Sequence, residues 1–252
     1  MMRYYISKKY DYLRDYILSI PRRFENEGKE IYRSRNVIKV FDVPGTTLRL
    51  NVKRYHAPRY LNKFVYSYKL LKPKGARAYY YPRRLAERGI PTPEPVAYLE
   101  EWHRTVLGYS YFVSVQCEYE HMMYELGNAP EGTYEDLATA FGRFTARLHE
   151  KGVLHLDYSP GNILWERTEQ GEYRFMLVDI NRMRFGKVSM NDGCKNFKRL
   201  WGPKRFFVMV VEAYAERRKM DAKQCIEIAL AERAKFWARY SRKHPIEFNY
   251  EP

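Results

Sequence analysis

His155, Asp157 and Asn162 stand in the pattern H-x-D-x-x-x-x-N within VLHLDYSPGNILW, residues 153–165. Asp157 and Asn162 offer hard oxygen donors, and Pro160-Gly161 between them is a turn signal. A core strand gains nothing from a carboxylate, and a plain surface turn does not need a histidine and a carboxamide at fixed offsets. Further on, the apolar run YRFMLVD ends on a second carboxylate, Asp179. Phosphoryl transfer needs this equipment. One carboxylate orients the attacking hydroxyl and takes its proton, while a carboxamide and a second carboxylate hold the Mg2+ that bridges nucleotide phosphates. On this reading Asp157 is the catalytic base, Asn162 and Asp179 are metal ligands, and His155 braces the loop by hydrogen bonding. A well-capped turn, with Asp157 and Asn162 bonded to backbone amides, is the bland reading of the same residues.

The same chemistry requires a cation on the phosphates. LRLNVKRY places Lys53 on the third expected strand, where the V-A-I-K lysine of kinase-like chains stands. Between the first two expected strands lies Ser34-Arg35-Asn36, without G-x-G-x-x-G, so backbone amides or Arg35 itself would contact phosphate there. A helix glutamate normally pairs with the strand lysine. In ARAYYYPRRLAERG the corresponding place holds Tyr80, and Glu87 follows two turns on with Pro82 intervening.

The elements that must position these residues are legible in the pattern. Strands are predicted over 30–33, 36–42 and 47–55, with Pro44-Gly45 as a turn. A helix over 74–88, kinked or restarted at Pro82 and capped at Gly89, is followed by strands over 96–100 and 109–116. Residues 127–132 read as a linker. TYEDLATAFGRFTARLHEKG is an amphipathic helix with Leu137, Phe141, Phe144 and Leu148 on one face and a capping-box-like start at Thr133 and Asp136. A hairpin over 162–166 and 173–179 and two helices between 206 and 240 complete the chain. The expectation is an α+β, protein-kinase-like fold. It has a small β-rich, nucleotide-covering N-terminal lobe over 1–126 and a mainly helical C-terminal lobe over 127–252.

Composition narrows the partners. The 252 residues carry 45 basic and 30 acidic side chains, a net charge of +15, which favours polyanions. The 24 tyrosines and 45% hydrophobic content argue against disorder. Three cysteines without CxxC argue against a zinc site or disulfide framework and for a reducing compartment. No run approaches a spanning helix, and the first residues lack the apolar core of a secretory signal. The tyrosine-and-base N-terminus has only charge and aromatics behind a nucleic-acid reading, and no nucleic acid is expected.

Together the segments IYRSRNVIKVF, NVKRYHAP, RGIPTPEPVAY, LHLDYSPGNILW, VDINRMRF and NFKRL resemble the bacterial lipopolysaccharide kinases of the Kdo/heptose kinase family. The D-x-N-R form from Asp179 is similar to what that family carries in place of D-F-G. The resemblance implies ATP-dependent phosphorylation of a sugar hydroxyl in the lipopolysaccharide inner core, with ATP and Mg2+ as cofactors. It implies Lys53 on the nucleotide phosphates, Asp157 as base, and Asn162 with Asp179 on Mg2+. The implied partner is the lipopolysaccharide core or a lipid A precursor, met from the cytoplasm in peripheral contact with the anionic inner face of the membrane. Two rivals stay open: a pseudokinase-like binding or scaffold module, and a kinase for a small molecule or protein.

Overall fold

The computed structural model describes residues 1–57, 74–104 and 106–251. Its contacts divide the chain into two compact units, Met1–Glu87 with Thr92–Glu118, and Arg88–Pro91 with Tyr119–Pro252. The expected boundary at 126/127 falls inside the second of these.

The first unit is built on a six-stranded sheet in which every neighbouring pair is antiparallel. Its strands are β1 (Met2–Ile6), β2 (Lys29–Arg33), β3 (Asn36–Asp42), β4 (Arg49–Tyr55), β5 (Pro95–His103) and β6 (Val106–Val115), in the order β1-β5-β6-β4-β3-β2. Alternation along the strands sends Val37, Leu50, Val52, Leu99, Tyr111 and Val113 to one face. There they bury Ile17 and Ile20 of helix α1 (Arg14–Arg23) and the adjoining Phe24. The opposite face carries helix α2 (Lys74–Ala86), a single element that runs through Pro82. Its approach to the sheet requires Gly75, because a Cβ there would lie 2.4 Å from the Tyr98 ring. Neither β1 nor α1 was expected. The β1 sequence MRYYI is largely exposed on an edge and shows no apolar alternation, and α1 contains Pro21.

The second unit holds four helices: α3 (Glu135–Glu150), α4 (Met190–Asn196), α5 (Lys204–Arg217) and α6 (Ala222–Tyr240). Five short strands accompany them. β7 (His121–Met122), β9 (Ile163–Arg167) and β10 (Tyr173–Leu177) form one sheet, and β8 (Val153–His155) pairs with β11 (Met183–Phe185). Leu137, Phe141, Phe144 and Leu148 are all buried, as their spacing on α3 predicts. The start of α3 differs from expectation. Thr133 donates its hydroxyl to the Pro130 carbonyl, and the Glu135 carboxylate accepts from the Gly132 and Tyr134 amides in place of a Thr133–Asp136 box. Helices α3 and α5 meet at Gly142, where a Cβ would lie 2.3 Å from the Val210 carbonyl oxygen. A 3-10 turn, Met123–Asn128, overlaps the first two residues of the expected linker 127–132.

Candidate active site

Strand β8 is fully buried and delivers the chain to Asp157. Its last residue, His155, is 0% exposed and is fixed at both ring nitrogens. The Asp157 amide donates to Nδ1 at 3.1 Å, so Nδ1 is the acceptor and the ring proton lies on Nε2, 3.1 Å from the Val178 carbonyl oxygen. Burial pushes the imidazole pKa down, against the pull of the Val178 carbonyl, and keeps the ring neutral. His155 therefore braces the loop, as expected, and ties the residue before Asp179 to the strand before Asp157.

Two guanidinium groups engage the Asp157 carboxylate. Arg199 donates through Nη1 to Oδ1, and Arg182 approaches Oδ2 at 3.4 Å. The same segment is held by its backbone, since the Leu156 amide donates to the Arg182 carbonyl at 2.8 Å. The carboxylate thus points out of the turn toward other side chains and caps no backbone amide of the described residues.

Asn162 sits at the end of the short 3-10 turn Pro160–Asn162. Its Nδ2 donates to the Asp157 carbonyl oxygen at 2.8 Å, and its own carbonyl accepts the Val178 amide at 3.0 Å. These bonds place Asp157, Asn162 and the chain entering Asp179 side by side. Asp179 adopts φ 50°, a left-handed backbone uncommon outside glycine, and Asn181 donates Nδ2 to its Oδ1. The donor set suits a hard divalent cation. The Asn162 amide is oriented through its nitrogen, and its Oδ1 takes no hydrogen bond from any described residue. Oδ1 of Asn181, on a residue 4% exposed beside Asp179, is buried without a partner among the described residues.

A second layer supports the loop. Asn196, at the end of α4, donates Nδ2 to the His155 carbonyl at 2.9 Å, and its Oδ1 lies 3.2 Å from His149 Nε2. His149 Nδ1 lies 3.0 Å from the Tyr214 hydroxyl on α5. Burial drives the His149 pKa down to about 3. The chain of polar contacts thus links α3, α4 and α5 to the residue two before Asp157.

In the first unit, Lys53 is buried on β4, with its Nζ 5.4 Å from the Tyr55 ring centroid. Its register partner Phe112 also pairs with Tyr98, so Lys53 and Tyr98 share a sheet face. On that face the Glu100 carboxylate is buried and accepts from Tyr98 Oη and Trp102 Nε1, each at 2.7 Å. Arg35 is exposed in the β2–β3 turn, Tyr80 is 39% exposed, and Glu87 lies 3.2 Å from Arg83. The expectation gave no role to Glu100, Arg199, Asn181 or Arg182, the last two standing only as letters of the D-x-N-R form. The first is marked only as a charge in an apolar strand, and the others lie in VDINRMRF and NFKRL without a readable role.

The family model described as lipopolysaccharide kinase (Kdo/WaaP) family matches residues 24–219. Among solved structures, the fold is similar to that of WaaP in complex with acyl carrier protein. The TM-score is 0.59 at 15% identity, over 96% of this chain and 100% of that one. The Cydia pomonella granulovirus kinase PK-1 matches with a TM-score of 0.44 at 12% identity, over 80% of this chain and 74% of that one. No curated protein matches the sequence. Among the described residues, no helix is long and apolar enough to cross a membrane.

Proposed function

The chain belongs to the lipopolysaccharide kinase (Kdo/WaaP) family and is a kinase, and from that premise we propose that it transfers the γ-phosphate of ATP to a sugar hydroxyl, on Kdo or heptose, of the lipopolysaccharide inner core. The reading is carried by one observation: Asp157, Asn162 and the chain entering Asp179 are tied together by the Asn162–Asp157 and Val178–Asn162 hydrogen bonds. Asp157 orients the acceptor hydroxyl and takes its proton as the hydroxyl oxygen bonds to the γ-phosphorus and the bond to the β-phosphate oxygen breaks. Asn162 Oδ1 and the Asp179 carboxylate would hold Mg2+, which would supply charge neutralisation on the nucleotide phosphates. Lys53, and Arg35 at the β2–β3 turn, bind those phosphates as cations.

Neutral His155 acts through position alone. It fixes the angle at which Asp157 leaves β8. Arg182 and Arg199 hold the carboxylate aimed. The net charge of +15 favours peripheral binding at the anionic inner face of the membrane. The test is phosphotransfer from ATP to extracted lipopolysaccharide, with mass analysis of the released core. A mass increase of one phosphate on an inner-core sugar is expected, and ATP turnover without a phosphorylated core would contradict the reading.

A further inference from the structure

The second unit carries a surface cavity of about 290 Å³ that none of the roles above uses. It is lined by Lys198, from the 3-10 turn Phe197–Arg199, and by Glu232, Lys235, Phe236 and Arg239 of α6. Three cations therefore surround one carboxylate. Glu232 is already engaged, 3.2 Å from Lys235 Nζ and 3.9 Å from Lys195 Nζ. Lys198 and Arg239 form no ion pair with any described residue. Their charges stand uncompensated around a concave wall, which is the electrostatic condition for holding an anion.

The cavity adjoins the proposed base. Phe236 lines it, and the Arg199 guanidinium lies 5.2 Å from the Phe236 ring centroid while Nη1 of that group donates to Asp157 Oδ1. One guanidinium group thus separates the cavity wall from the carboxylate. The consecutive residues Lys198 and Arg199 divide the work, the first lining the cavity and the second reaching Asp157.

We propose that this cavity is the acceptor subsite, binding an anionic group, carboxylate or phosphate, of the glycolipid near the hydroxyl to be phosphorylated, with Lys198 and Arg239 as its principal contacts. The proposal rests on Asp157 as the base, since that assignment makes the cavity's neighbour the reacting end of the acceptor. Lys198 and Arg239 contribute to acceptor affinity, and neither touches the nucleotide.

The test uses the full chain with extracted lipopolysaccharide as acceptor. The variant Lys198→Glu/Arg239→Glu is expected to raise the acceptor KM about tenfold or more while the KM for ATP stays within about twofold. Lys219→Glu/Lys223→Glu makes the same charge change on exposed residues around the start of α6, and is expected to leave both constants within about twofold. The milder Lys198→Ala/Arg239→Ala pair should move the acceptor KM in the same direction. An acceptor KM unmoved in both cavity variants, or moved equally by the control pair, overturns the proposal. Acceptor stripped of phosphate and acceptor with reduced carboxyl groups identify the anion, because the gap between wild type and the cavity variant closes on whichever lacks the recognised group. A gap that survives both treatments also overturns it. Asp157→Ala is run beside these: retained turnover in that variant would remove the base assignment, an outcome distinct from an unmoved acceptor KM.

Discussion

Nδ2 of Asn162 donates to the carbonyl oxygen of Asp157 at 2.8 Å across the Pro160-Gly161 turn, and so leaves Oδ1 of the same amide available as a hard ligand. The bond couples the metal-ligand role proposed for Asn162 to the geometry of the proposed base, Asp157. Asn162→Ala is expected to raise the Mg2+ concentration for half-maximal activity by about tenfold or more. The lost hydrogen bond should lower stability by only about 1 kcal/mol. Mg2+ titrations of activity and of ATP-dependent melting temperature read the first effect, and urea unfolding reads the second. An unchanged Mg2+ requirement would remove Asn162 from the metal site.

The two arginines on Asp157 give a second prediction. Arg199 has only a partly exposed side chain and reaches Oδ1, whereas Arg182 is more open to water. Arg199→Ala should lower kcat by about 10- to 100-fold through misplacement of the carboxylate. Arg182→Ala should cost less, because an exposed pair is screened. Neither variant should change the melting-temperature rise produced by ATP and Mg2+. Equal losses in both, or a lost nucleotide shift, would contradict this division.

Burial of two histidines predicts how stability responds to acid. The folded-state pKa of His149 is lowered to about 3 and that of His155 is also lowered, in both cases chiefly by burial. Above the unfolded value near 6.5 both states hold neutral rings, and the full stability is present. Below it the unfolded chain takes up protons that the native chain refuses. Stability therefore falls with decreasing pH, at about 1.4 kcal/mol per unit for His149, and His155 adds to the fall in the same direction. For His149 the loss runs from about 6.5 down to about 3. Urea unfolding at pH 7, 6 and 5 checks it, and a flat profile over that range would contradict the native-state burial of neutral imidazoles.

Close packing of α3 on α5 makes Gly142 a sensitive position. An alanine Cβ would lie 2.3 Å from the Val210 carbonyl oxygen and 2.9 Å from the Ala213 Cβ. Gly142→Ala is expected to destabilise by about 1–3 kcal/mol, despite alanine's better helix propensity. Gly89, past the end of α2, has nothing within 4 Å of a built Cβ but takes φ 63°. Gly89→Ala should cost about 1 kcal/mol through backbone strain alone. A stabilised Gly142→Ala chain would show that the two helices are not in contact there.

Much of this was legible in residue types and spacing. Strand 36–42 and the buried face of α3 follow from local periodicity, which needs no knowledge of distant contacts. Asp157, Asn162 and Asp179 could be picked out because a turn and an apolar strand end carried charges or amides that packing alone does not require. The partners of those residues were hidden. Arg199 lies 42 residues from Asp157, and Asn196 lies 41 from His155, so only the folded chain brings each pair together. The strand β1 was missed because an exposed edge strand of tyrosine and arginine has no apolar alternation to reveal it. At the start of α3, Glu135 took the back-reaching role expected of Asp136, because its carboxylate reaches two preceding amides at once.

Asp157→Ala is the most direct test of the account. Steady-state phosphotransfer to extracted lipopolysaccharide, with the melting temperature recorded in parallel, should show turnover reduced by about a thousandfold or more in a chain that stays folded and still responds to ATP and Mg2+. Turnover near that of the wild type would contradict the assignment of Asp157 as the group that takes the acceptor's proton.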